Sequence, residues 1–174
     1  ALAQYFYVDK ATYPNGFNLT DLRIQGQNGQ NPVIEIYDGS RSISTASLIQ
    51  KVNYDFWGYN YPITLKEQIH FAPGSSFWVV VKFPAGAKNP LGTGKTTRTD
   101  VAQYSFYSSD NGTTWTQLSE VLKGTSFEAV ASQLTWAVQA ISKNPDWSQV
   151  LNPEPISGEV RPNESQKVTL KNDG

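Results

Sequence analysis

The sequence predicts an all-β fold, an antiparallel β-sandwich of jelly-roll-like type that ends in a short β-hairpin tail. Three observations carry the expectation. Apolar side chains recur with period two along most of the chain. Compact turn signals separate these runs at short intervals: Pro14-Asn15-Gly16, Gln27-Asn28-Gly29, Asp38-Gly39-Ser40, Pro73-Gly74-Ser75 and Asn111-Gly112. Aromatic residues reach 13% while charged residues are held to 17%, a balance that suits a β-rich domain better than a helical bundle or a disordered tail.

Gln4–Val8 opens the series, and Phe17–Ile24 follows with a change of parity near Thr20-Asp21 that predicts a bulge or bend. Val33–Tyr37, Ala46–Tyr54 and Tyr61–Ile69 read as further strands. Phe77, Val79, Val81 and Phe83 alternate with Trp78, Val80 and Lys82, so this strand is apolar on both faces and should be central and covered on each side. Ala85–Asp100, rich in Gly, Thr, Lys and Pro without periodicity, reads as a long exposed loop. Gln103–Ser109 and Thr114–Leu118 form the arms of a hairpin. Thr125–Ser132 is the one stretch with helical character, and Leu134–Ile141 alternates again. Roughly nine short strands spaced in this way describe a sandwich.

Residues 1–142 are expected to form that sandwich and 143–155 a linker marked by Asn144-Pro145-Asp146-Trp147 and Pro153-Glu154-Pro155. Ile156–Val160 and Gln166–Lys171 read as two strands too few to be stable alone, the truncated start of an immunoglobulin-like domain over 156–174. The chain contains no methionine and starts at Ala1, so it is expected to be a piece of a longer polypeptide with any export signal upstream.

Composition narrows the function classes. A net charge of -1 leaves no basic surface to neutralise phosphates, which argues against nucleic-acid binding. No stretch is long and apolar enough to span a membrane. Without cysteine there is neither a disulfide scaffold nor a thiolate metal site. His70 is the single histidine, flanked by Ile69 and Phe71 in a strand, and no Gly-x-Ser-x-Gly elbow is present; no catalytic residue is assigned. Gly92-Thr93-Gly94-Lys95-Thr96 imitates a phosphate loop, yet the required first glycine is replaced by Asn89 and a strand rather than a helix follows. No metal site is assigned. Asp38, Asp55 and Asp110 offer oxygens for Ca²⁺, but without the spaced acidic loop that ion needs they read as solvated turns, so no cofactor is expected. Asn18-Leu19-Thr20, Asn111-Gly112-Thr113 and Asn163-Glu164-Ser165 match the glycosylation triplet.

Two segments stand out. In Ser108-Ser109-Asp110-Asn111-Gly112-Thr113-Thr114-Trp115, the Asp110 carboxylate can accept backbone N–H groups across the turn and Gly112 can take a positive φ. Thr114 completes the pattern Ser-x-Asp-x-Gly-x-Thr-Trp, and Trp115 can fold back beneath the loop. The second segment clusters Tyr54, Phe56, Trp57, Tyr59 and Tyr61 with Asp55, Gly58 and Asn60. Aromatic faces stack on sugar C–H surfaces and Asp or Asn bonds hydroxyls, so Trp57, Tyr59, Tyr61, Asp55 and Asn60 are the ligand candidates. The alternative is a hairpin whose rings pack onto the sheet.

The turn resembles the Asp-box of secreted bacterial glycan-handling and adhesive proteins. A wider resemblance lies in the order Ala3-Gln4-Tyr5-Phe6-Tyr7-Val8, Val33-Ile34-Glu35-Ile36-Tyr37-Asp38-Gly39, then the run from Ile69-His70-Phe71 through Pro73-Gly74 to Phe77-Trp78-Val79-Val80-Val81-Lys82, and Tyr104-Ser105-Phe106-Tyr107. It is similar to the lectin-like β-sandwich appended to secreted bacterial peptidases of the subtilisin-like or papain-like classes, over roughly residues 3–142. The tail from Trp147 through Pro155-Ile156-Ser157-Gly158-Glu159-Val160 to Leu170 is similar to the opening of immunoglobulin-like modules. The hairpin departs from the peptidase pattern by its additional Asn111 and Thr113. The resemblance implies a non-catalytic accessory domain, secreted or at the bacterial cell surface, that binds surface carbohydrate or protein or braces the catalytic domain of its own polypeptide. A carbohydrate-binding domain of a glycan-active enzyme and a structural cell-surface spacer are the alternatives.

Overall fold

In the computed structural model the described residues are 1–25, 31–39, 42–54, 62–86, 92–95 and 104–143, with the backbone of 148–151. They form an all-β structure in which every strand pairing is antiparallel. The strands are β1 (Leu2–Tyr7), β2 (Phe17–Ile24), β3 (Val33–Asp38), β4 (Leu48–Asn53), β5 (Pro62–Phe71) and β6 (Ser76–Lys82). They continue with β7 (Thr93–Lys95), β8 (Ser105–Tyr107), β9 (Thr116–Gln117), β10 (Leu134–Trp136), β11 (Val138–Lys143) and β12 (Ser148–Leu151). A six-stranded sheet runs β4-β3-β6-β1-β8-β9, a four-stranded sheet β12-β11-β2-β5, and β7 pairs with β10 in a small third sheet.

The two larger sheets share one apolar core. Phe6 of β1, Ile34 and Ile36 of β3, and Phe77, Val79 and Val81 of β6 meet Phe17, Leu19, Leu22 and Ile24 of β2, with Ile63, Leu65 and Phe71 of β5. Phe77 is its centre: its ring stacks on Phe71 of the other sheet at 4.2 Å and on Phe6 beside it at 5.1 Å. The intervening residues of β6 face away from this core, and Trp78 and Val80 are closed off as well by a second cluster with Ala3 and Ile43. The double-faced burial expected of this strand is therefore present, with β6 lying between β3 and β1.

The parity change in β2 is a register shift between Leu19 and Asp21 against β5. It allows Phe17 and Leu19 before it, and Leu22 and Ile24 after it, all to point into the core. Asp21 is left buried at the irregularity, where Thr20 Oγ1 and Thr64 Oγ1 each donate to it at 2.7 Å and Lys143 Nζ at 2.6 Å. Thr20 Oγ1 also donates to the Ile141 carbonyl and accepts from the Lys143 amide, which ties the bulge to β11.

Several sequence expectations are redrawn. The Leu134–Ile141 run is two strands: it bends at Ala137, whose N–H and C=O pair with Gly92 and Gln25, so that β10 joins β7 and β11 joins β2. The long loop over 85–100 contains β7, because alternation is unreadable in a three-residue strand. The second hairpin arm is only Thr116–Gln117; Leu118, which is buried, begins a single α-helical turn, α1 (Leu118–Val121). The helical stretch is a 3₁₀ segment at Glu128–Gln133. The segment expected as a linker over 143–155 includes the end of β11 and the strand β12, paired through Ala140↔Leu151 and Ile141↔Val150. Its flanking prolines and asparagines carried the loop signal, whereas Gln149, Val150 and Leu151 are too short a run to show a period. The tail over 156–174 lies outside the described residues.

The ring stack makes a direct prediction. Phe77→Ala should lower unfolding free energy by about 3–5 kcal/mol, the range for emptying an aromatic core position, read as a fall in urea midpoint at constant slope.

Candidate functional site

The 108–115 turn is closed by its own side chains. Asn111 and Gly112 have φ of 58° and 102°, the signs a type I′ turn requires at its two central residues. Asp110 Oδ1 accepts from Ser108 Oγ at 2.7 Å, from the Thr113 amide at 3.1 Å and from the Thr114 amide at 2.8 Å, while Oδ2 accepts from Thr114 Oγ1 at 2.7 Å. The Gly112 amide donates to Ser108 Oγ at 2.7 Å. The two Thr114 bonds, then that from Ser108, hold the Asp110 carboxyl far below the usual carboxylate range. A carboxylate engaged in this way is a brace for the backbone, with three donors already on one oxygen.

Trp115 carries the turn onto the six-stranded sheet. Half-buried, it packs, as Phe106 does, against the cluster of Ala3, Ile43, Trp78 and Val80 on the face turned away from the main core. A Cβ at Gly112 would stand 3.4 Å from both the Trp115 ring and Lys82 Cε, so the turn, this ring and β6 lie in contact range. Lys82 then reaches Glu35 on β3 at 2.8 Å, and Tyr37 donates its hydroxyl to the same carboxylate at 2.6 Å. Burial pushes the Glu35 carboxyl up, but the hydrogen bonds from Lys82 and Tyr37, with the charges of Lys82 and Lys51, outweigh it and leave its pKa lowered. Asp21 follows the same pattern: burial raises it, and the bonds from Lys143, Thr20 and Thr64 bring it below the ordinary value.

Beside the turn, a cleft of about 960 Å³ opens at the end of the sandwich, lined from β1, β7, β8, β10 and α1 and from the residues that follow β6. Buried Leu2, Leu118 and Trp136 line it together with half-buried Leu134. Trp136 Nε1 donates to the Phe106 carbonyl at 2.8 Å, which spends its polar edge inside the fold and leaves an apolar surface to the cleft. Tyr107, Val121 and Phe127 stand at its mouth, with Phe127 57% and Tyr107 36% exposed. Thr93, Ser109 and Asn111 supply uncharged hydroxyl and amide groups along the same lining. Such a cleft, within the size range of ligand sites and mostly apolar with a few convergent polar groups, can hold a ring-bearing ligand by stacking and hydrogen bonding.

The structure places the sequence candidates unevenly. Ser108, Asp110, Gly112, Thr114 and Trp115 come together in the turn. Trp57, Tyr59, Tyr61, Asp55 and Asn60 lie outside the described residues; their neighbour Tyr54 packs against the main core. His70 is exposed at the end of β5 with Nδ1 2.7 Å from Asn18 Oδ1. Gly94 and Lys95 of the phosphate-loop imitation are in β7, and among the described residues no group of three His, Cys, Asp or Glu could hold a metal ion. Sequence reasoning missed Tyr107, Val121 and Phe127. Val121 and Phe127 belong to a connection without period, and only Phe127, a large ring among Ser126, Glu128 and Thr125, carried a signal.

Comparison of the chain with protein-family models, with curated proteins and with solved structures finds no match.

The lowered carboxyls set a pH dependence. Asp21 and Glu35 ionise more readily folded than unfolded, so their stabilisation is complete above the unfolded carboxylate range, about pH 4, and disappears as pH falls through the folded values. The urea midpoint should stay flat from neutral to about pH 5 and then fall, with a shallower fall in Asp21→Asn.

Proposed function

We propose that this chain is a non-catalytic accessory domain of a secreted bacterial multidomain protein, a peptidase by its sequence resemblance, and that it binds carbohydrate of a cell surface in the cleft at the end of the sandwich. The observation that carries the reading is the pairing of exposed rings, Tyr107 and Phe127, with the uncharged donors and acceptors of Thr93, Ser109 and Asn111 on one cleft. A pyranose presents an apolar C–H face to an aromatic ring and equatorial hydroxyls to its edges. The lining offers both, and the Asp110 brace fixes Ser109 and Asn111 on either side of itself.

The non-catalytic part of the reading is supported by the commitments of the reactive groups. His70 pairs with the neutral amide of Asn18, and among the described residues no carboxylate is bonded to it. Asp110, a carboxylate lining the cleft, accepts four bonds from the turn, three of them on Oδ1. Glu35 and Asp21 are held by lysines within their own sheets. The resemblance to lectin-like sandwiches and the Asp-box pattern of the turn point the same way.

A glycan array with three proteins tests the proposal. Wild type should bind a defined set of oligosaccharides, Tyr107→Ala should lose at least about tenfold in affinity, as expected for removing a stacking platform at a hot spot, and its melting temperature should stay near wild type. Binding lost in Trp57→Ala but kept in Tyr107→Ala would move the ligand to the aromatic segment at 54–61. Signal from none of the three would remove carbohydrate and favour bracing of a neighbouring domain.

A further inference from the structure

Asn111-Gly112 is the dipeptide in which asparagine is most prone to lose its side-chain amide. The following nitrogen carries no neighbouring side chain to obstruct its approach to the Asn carbonyl carbon. Asn111 is exposed, on the lining of the cleft, in a left-handed conformation. The structure nevertheless engages the reacting nitrogen. The proton that must leave Gly112 N is donated to Ser108 Oγ at 2.7 Å, and that hydroxyl is itself held by donating to Asp110 Oδ1 at 2.7 Å. Ser108 is 2% exposed, so water does not readily replace it. The bonds from the Thr113 and Thr114 amides to Asp110 fix the chain immediately beyond.

We propose that Asn111 is a latent modification site, converted through a succinimide when the turn opens, and that the Ser108 hydroxyl keeps it closed in the folded protein. In the open turn, Gly112 N gives its proton to hydroxide and attacks Asn111 Cγ. The new N–Cγ bond forms, the Cγ–Nδ2 bond breaks, and ammonia leaves after taking a proton from solvent. Water then opens the imide to aspartate or isoaspartate, with no oxidant or cofactor required. The product adds a carboxylate next to Asp110 on the cleft lining, and the isoaspartate form lengthens the backbone within a turn whose bonds leave no slack.

The same chain provides a control. In Asn15-Gly16 the Gly16 amide donates to the Tyr13 carbonyl at 3.0 Å, independently of Ser108. Peptide mapping after prolonged incubation in mildly alkaline buffer would follow both sites in native wild type, native Ser108→Ala and urea-unfolded wild type. We expect Asn111 to convert far more slowly in the native than in the unfolded chain, and about fivefold or more faster in Ser108→Ala, the effect on local opening of losing even one of the two hydrogen bonds that the hydroxyl makes, while Asn15 is unchanged. Hydrogen exchange of the Gly112 amide should be protected in wild type. Equal Asn111 rates in native and unfolded wild type, or in wild type and Ser108→Ala, would overturn the proposal. If Asn15 also accelerates in Ser108→Ala, that variant has unfolded, and the native-to-unfolded ratio with Gly112 exchange decides: protection of both upholds the proposal, and an unprotected amide defeats it.

Discussion

The structure depends on one strand that has to be covered on both faces. Phe77 to Val81 are five consecutive apolar residues, each almost closed to solvent. A strand turns alternate side chains to opposite sides, so one sheet packed on another can bury only Phe77, Val79 and Val81. Trp78 and Val80 need a second cover, and the chain supplies it with Ile43 from a single 3₁₀ turn and Trp115 from the 108–115 turn. Seen this way, the tightly specified turn is a means of delivering an indole to the far side of β6. Its side-chain bonds hold the backbone in a loop shape, and from that loop Trp115 packs against the cluster around Trp78.

The polar residues inside this framework obey a corresponding constraint. Glu35 lies on the same strand pair as Val80, in register opposite it, and is buried among apolar neighbours. An unpaired carboxylate there would be too costly to keep ionised. Lys82 from β6 and Tyr37 from β3 reach it on the same face of the sheet, since residues two apart share a side. Asp21 is buried for a different reason: the bulge that restores the parity of β2 turns one extra residue inward, and Thr20, Thr64 and Lys143 satisfy it from three strands. Gln4 is the neutral example, with Ser105 Oγ and the Trp136 amide both donating to its Oε1 across the junction of β1, β8 and β10. Each case trades a polar burial for a fixed relation between strands that are far apart in sequence.

How much of this was legible in the sequence follows from the length over which each signal accumulates. The alternation of Phe77–Phe83 declared a central strand because seven residues repeat it. The slip at Thr20-Asp21 was visible because apolar residues of both parities flank it. β7 was not legible as a strand, since its three residues display no period, and the arm read over Thr114–Leu118 shortens to the two residues of β9 because Leu118 begins a helical turn. The division of Leu134–Ile141 at Ala137 was hidden for the opposite reason: alternation continues through it, and the change of sheet is recorded only in where the Ala137 amide and carbonyl bond. For the site, the turn was readable residue by residue because its chemistry is local, from Ser108 to Trp115. The cleft was not, because Leu2, Tyr107, Phe127 and Trp136 are brought together by tertiary packing alone.

That difference explains where binding chemistry can reside in such a fold. The two long faces of the six-stranded sheet are already used, one by the main core and the other by the Trp78 cluster. The apolar cleft opens where strands end and their successors have not yet covered the inner residues. At the end shared by β1, β6 and β8 the covering elements are short, one α-helical turn and a 3₁₀ segment. Their length limits how much apolar surface they can close, and Val121 and Phe127 remain partly in solvent as a consequence. The Asp110 turn borders the same opening because the outward-facing Trp115 fixes it there. The bonds with which the turn places its indole thus also give the cleft one edge with fixed geometry, while α1 and the start of the 3₁₀ segment border it elsewhere.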